Sequence, residues 1–198
     1  MNYNEELKKM VTPQNLMNSY KLYFLKALLN NVSIVRSTFS FYELSCYMVA
    51  YSFSDVCALK HRIRPLDRLY DVSIMTIELE NTMESSKPIE IYETLINTNN
   101  KKLRKEVLAL CNYVPYRLLA YLWRNELKGK TDKQKNSLIQ EMSGSDSSSI
   151  YSISSSSDEG KSITVFRDWA VFISANRQDL LLWIDNKIGE FVWKDQKK

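Results

Sequence analysis

The sequence predicts a mainly α fold, a compact bundle of six to eight helices with one small antiparallel β-hairpin in its C-terminal third. Three observations point that way. Apolar residues recur at three- and four-residue steps along most of the chain. Only four glycines occur in 198 residues, so the residue that barrel corners, tight hairpins and phosphate-cradling loops require is almost missing. A serine-rich stretch near residue 155 is flanked by two short alternating apolar segments, the pattern of a hairpin. With 44% hydrophobic and 25% charged residues the chain can bury a core, and residues 1–198 are expected to form one helical domain.

The elements follow in order. Residues 14–31 place Leu16, Tyr20, Tyr23, Phe24, Ala27 and Leu28 on one helical face, with Pro13 as an opening signal. Ser40 and Glu43 have capping-box spacing ahead of a helix over about 41–53, carried by Leu44, Tyr47, Met48 and Tyr51. Pro65 opens a third helix with Leu66, Leu69, Val72 and Ile77 on its face, ending near Asn81, and Pro88 opens a fourth through Ile96. Leu103, Val107 and Cys111 mark a fifth, running to about Asn112. At Tyr113-Val114-Pro115-Tyr116 the pattern is expected to break, because proline disfavours helical geometry at the residue before it. A shorter helix is expected at about 131–142. The segment 143–157 holds ten serines and builds no core alone, so 143–162 is either a loop or a hairpin insertion pairing Ile150–Ile153 with Ser162–Phe166. A short helix with Trp169, Phe172 and Ile173 follows, and Leu180–Trp193 is the last amphipathic helix.

Charge and composition exclude more than they assign. Lys and Arg number 27 against 23 Asp and Glu, but residues 101–135 hold ten of the cations and three of the acids, which gives that segment +7 and leaves the rest at about −3. The single histidine, His61, excludes two-His metal sites and the paired histidines of an HNH nuclease. Cys46, Cys57 and Cys111 are odd in number and set among apolar residues, as expected of buried thiols in a reducing cytoplasm. The N-terminus lacks a signal-peptide pattern and no apolar run approaches a membrane span, so a cytoplasmic protein without membrane contact is expected.

No complete catalytic constellation emerges. Gly129-Lys130-Thr131 and Gly160-Lys161-Ser162 imitate a phosphate loop, yet Arg124 and Ser155 stand where the pattern needs glycine. Glu126-Leu127-Lys128 resembles a metal-nuclease triplet, but its nearest upstream aspartate is Asp71, and the triplet reads as an exposed helix end. His61 reads as a surface residue of a basic loop. Two basic segments, 60–68 and 101–135, are the nucleic-acid-binding candidates: Lys60, Arg62 and Arg64 in the first, and Lys101, Lys102, Arg104, Lys105, Arg117 and Arg124 in the second. Tyr113, Tyr116, Tyr121 and Trp123 interleave with the last two, a pattern that serves either base stacking or a core.

Several stretches carry a family resemblance in a common order: Ser19–Leu29 (SYKLYFLKALL), Phe39–Leu44, Met48–Ala50, Tyr113–Leu119, Ile150-Tyr151, Ser162–Val165 with Trp169 and Asn176, and Leu182–Lys187 (LWIDNK). Together they resemble the helical N-terminal region of bacterial HNH endonuclease domain-containing proteins over most of 16–192. The departures are specific. Tyr51–Val56 lacks the Trp-Tyr-Pro that group often shows, Pro65 stands near its usual glycine, and no zinc knuckle or HNH segment is present. The resemblance therefore implies a non-catalytic, nuclease-associated recognition or regulatory module in a defence or mobile-element setting, and transfers no catalytic residue. The chain would be a stand-alone or truncated relative, or its nuclease would reside in another chain.

The expected function is accordingly binding of nucleic acid, DNA first, or of a nuclease partner, with no enzyme activity, cofactor, metal or small-molecule substrate. The alternative is a protein-interaction subunit of the antitoxin or immunity type that makes no nucleic-acid contact.

Overall fold

The computed structural model describes residues 2–146, 148–156 and 160–193. In chain order these form α1 (Tyr3–Met10), a 3₁₀ turn (Pro13–Asn15), α2 (Tyr20–Asn31), β1 (Thr38–Ser40), α3 (Phe41–Leu59), α4 (Leu69–Glu80), α5 (Pro88–Asn97) and α6 (Lys101–Ala109). There follow α7 (Val114–Leu119), α8 (Arg124–Leu127), α9 (Asp132–Ser143), β2 (Tyr151–Ser156), β3 (Gly160–Val165), α10 (Arg167–Ala175) and α11 (Arg177–Val192). The mainly α class and the small antiparallel sheet are as the sequence predicts. The helices number eleven among the described residues because α1, α7 and α8 are short pieces that periodicity does not resolve.

The centre of the molecule is α3. Ser40 caps it by accepting the Glu43 N–H at 3.0 Å, and from Phe41 to Leu59 only Ser54 and Ala58 are exposed, as in a helix largely enclosed by others. It packs against α2, α4, α5 and α6, extends past the expected end near residue 53, and stops at Lys60, which adopts a left-handed conformation. The helix expected from residue 14 starts later: Pro13 opens only the 3₁₀ turn, and the chain leaves helical geometry at Leu16. Ser19 then turns it into α2 under the hold of Asp67. That buried carboxylate accepts the Ser19 N–H at 3.0 Å, the Ser19 hydroxyl and the Leu69 N–H at 3.1 Å, so one side chain orders the starts of α2 and α4. Pro65 likewise lies in the loop before α4 rather than opening it. At its other end α2 is capped by α11, where the Arg177 guanidinium donates to the carbonyls of Leu29 (2.9 Å), Asn30 and Val32.

The expected break is present but falls earlier, at residues 110–113, and a new helix starts inside the segment expected to be non-helical. Pro115 sits in the first turn of α7, where its missing N–H has no intrahelical partner to lose, and Val114 becomes a helix-opening residue. The expected hairpin exists, with Ile153 opposite Ile163 and Ser154 opposite Ser162, while Ser147 and Ser157 of the serine-rich segment lie outside the described residues. It is joined by β1 in the order β1-β3-β2, Thr38 facing Thr164. The Tyr151 hydroxyl donates to the Pro115 carbonyl at 2.6 Å and fastens the sheet to α7. The buried residues form one cluster, with Trp169, Tyr23, Tyr116, Tyr151 and Phe24 among its largest members. All three cysteines are free thiols within it. Among the described residues no helix is long and apolar enough to cross a membrane.

Candidate functional site

The predicted basic residues separate into those that fasten the fold and those that stay open. In the 60–68 loop, Arg62 pairs with Asp71 at 2.8 Å and donates to the Pro65 carbonyl. Arg64 lies 4.7 Å above the Phe191 ring and donates to the carbonyls of Ile63 and Phe191. These two therefore anchor the loop, and Arg68 ties it to α6 through Glu106 at 2.6 Å. Lys60 and His61 remain exposed. On α6, Lys101, Lys102 and Lys105 are exposed, whereas Arg104 stacks 4.2 Å over Tyr42 and donates to the Thr98 carbonyl.

Of the four aromatics that interleave with the cations, three serve the core, one of the two readings their spacing left open. Tyr116 is fully buried and accepts from Lys161 Nζ at 2.8 Å, Trp123 is buried and donates to Asp146, and Tyr121 donates to Glu6. Tyr113 alone of the four is exposed.

Arg117 and Arg124 meet in a cleft of about 310 Å³ framed by α2, α7, α8 and α9. Three further cations line it: Lys21 from the first turn of α2, Lys128 beyond α8, and Lys135 of α9. Tyr121, Leu127 and Ile139 supply apolar wall, and among the described residues lining the cleft there is neither Asp nor Glu. Each cation is placed by local structure. Pro115 starts α7 and sets Arg117 in its last turn, and Gly129, with φ +75°, makes the reversal that carries the chain from α8 to the Thr131 cap of α9. Arg117 is braced at 2.7 Å by Asp132, the first residue of α9, while its Nε is buried without a hydrogen-bond partner. Lys21 has no ion pair or hydrogen bond to its ammonium among the described residues. Burial pushes that ammonium down to about 8, and the positive fields of Arg117 and Arg124 push in the same direction.

Such an arrangement is chemically one-sided. Five cations around one space, with Lys21 partly desolvated among them, suit an anion, the guanidinium forks giving orientation and the ammoniums giving charge. Sequence reading singled out Arg117 and Arg124, held Lys128 and Lys135 only as members of the basic segment 101–135, and did not reach Lys21. Lys21 left a signal, since Leu25 and Leu28, four and seven residues on, are fully buried, which puts this lysine on the apolar face of its helix.

A second concavity, a groove of about 1020 Å³, lies between the α1–3₁₀ segment and the end of α11. Val11, Pro13, Leu16, Trp183, Phe191 and Trp193 make it apolar, and Lys8, Arg64, Lys187 and Glu190 rim it. Among the described residues no group of His, Cys, Asp and Glu is placed to hold a metal ion. Compared with protein-family models, with curated proteins and with solved structures, the chain matches none.

Proposed function

We propose that this chain is a non-catalytic, nuclease-associated recognition module that binds nucleic acid through its phosphates. The observation carrying this reading is the cleft: Lys21, Arg117, Arg124, Lys128 and Lys135 around one space with no carboxylate lining it. Lys101, Lys102 and Lys105, exposed on α6, are a second set of phosphate partners.

The test is fluorescence anisotropy with a labelled duplex and its single strand at about 50 and about 200 mM salt, where counterion release makes phosphate binding steeply salt-dependent. Arg124→Glu/Lys128→Glu, both on exposed positions, should abolish binding at the higher salt, and Lys101→Glu/Lys102→Glu/Lys105→Glu should weaken it uniformly across sequences. Unchanged affinity in the first variant would end this reading.

One observation favours a second reading, a protein-interaction subunit. The apolar groove beside α11 presents Trp183 and Trp193 within a charged rim, the composition of an interface centre. Salt-insensitive, negligible anisotropy together with a stoichiometric protein partner would decide for it.

A further inference from the structure

We propose that the cleft is a phosphomonoester pocket, which seats the terminal phosphate of a nucleotide or of a polynucleotide 5′ end in preference to an internal phosphodiester. This rests on the reading of the cleft as a phosphate site and specifies which phosphate.

Three features favour the terminal group. The first is charge. An internal diester carries one negative charge, whereas a monoester carries between one and a half and two near neutral pH. Five cations line the cleft, and among the described residues the one carboxylate in direct contact with them, Asp132, engages Arg117 from outside the lining. A surface that tracks a backbone spreads its cations along a groove, one per phosphate; here they converge on one space.

The second is size. At about 310 Å³ the cleft stands at the lower end of small-ligand pockets, room for a phosphoryl group and its sugar. Leu127 and Ile139 give it an apolar wall.

The third is an unused donor. Arg117 spends Nη2 on Asp132 and leaves Nε buried with no acceptor, in a residue that lines the cleft. A buried N–H without a partner is costly, and a phosphate oxygen supplies one once the Arg117 fork turns toward the cleft. Lys21, half-buried beside it and likewise unpaired among the described residues, gains from the same anion. Several hydrogen-bonding oxygens on one doubly charged group meet these needs together, which a diester with two non-bridging oxygens meets only in part.

The experiment compares two 3′-labelled single strands of about 12 nucleotides, identical except for a 5′-phosphate or a 5′-hydroxyl, with adenosine 5′-monophosphate and adenosine as competitors, at a salt that leaves non-specific binding weak. The expected result is about tenfold tighter binding of the 5′-phosphorylated strand, with competition by the monophosphate and not by the nucleoside. Arg124→Gln/Lys128→Gln, both on exposed positions, should erase the preference. Binding of the monophosphate without either strand would support the pocket and remove the nucleic-acid reading. Equal binding of both strands with no competition by the monophosphate would overturn the pocket and leave that reading standing. Absence of all binding would overturn both.

Discussion

Lys21 carries a charge that its surroundings oppose. Its ammonium is half-buried, faces Arg117 of α7, Arg124 of α8 and the other cations of the cleft, and sits in the first turn of α2, the positive end of a helix dipole. Its folded-state value of about 8 lies below the ordinary 10.5, so the folded chain resists holding the proton that the unfolded chain keeps. That cost is fully present below pH 8 and is relieved as pH rises from about 8 to 10.5. Lys21→Met, which keeps the shape and removes the charge, should therefore raise unfolding stability at pH 7 by about 1–3 kcal/mol in denaturant titrations. The advantage over wild type should shrink across that same pH window, and the variant should bind phosphate more weakly although it is the more stable protein. Loss of stability on this substitution would contradict the electrostatic account. Residue identity makes this partly legible in the sequence, because a lysine spaced four and seven positions before buried leucines is out of place. Arg62 and Arg64 were not legible in the same way: their positions look like those of free surface cations, and what neutralises them, Asp71 and the Phe191 ring, is supplied by α4 and α11.

At the scale of elements, periodicity finds the long helices, and their ends are decided by side chains that reach the backbone. The Ser40 cap on α3 is one that the sequence spelled out. Because α3 contacts α2, α4, α5 and α6, Ser40→Ala should lower global stability by about 1 kcal/mol instead of fraying one end, and Ser40→Asp should restore most of it, as read by thermal or denaturant unfolding. Other elements were hidden for identifiable reasons. α1 is only eight residues long, although Asn2 caps it at 3.3 Å and Glu5 and Glu6 precede Lys8 and Lys9 in the order a helix dipole favours. β1 has three residues, too few for alternation to register. α7 was masked by the bias of a pre-proline residue against helical geometry, which Val114 overcomes as the first residue of a new helix, where Pro115 loses no intrahelical hydrogen bond. The cleft depends on this, since Arg117 reaches it from the last turn of α7.

For the whole molecule, the core holds reactive chemistry in an inert state. Burial pushes the thiols of Cys46 and Cys111 up to about 12, far from the range in which a thiolate forms. In the native protein at pH 8 both should be silent to a thiol-labelling reagent for hours, and all three cysteines should react at once in denaturant. Rapid native labelling of Cys111 would show that the centre opens far more readily than its packing implies. Mainly α class, the Ser40 helix and the hairpin could be read from sequence because they are local; the convergence of five cations could not, because residues 21, 117, 124, 128 and 135 meet only when α2 and α7 pack. The position of β3 between its neighbours has a consequence for synthesis. Thr38 must wait for Thr164, 126 residues further on, before β1 has anything to pair with, and α2 waits longer still for α11 and the Arg177 cap. At ribosomal elongation rates that interval is on the order of ten seconds, during which the apolar faces of the first helices stand uncovered in the nascent chain. A C-terminal nonsense mutation ahead of Gly160 thus removes the middle of the sheet and, with it, the means of closing the N-terminal half, so that the early helices become substrates for chaperones or proteases instead of a smaller folded protein.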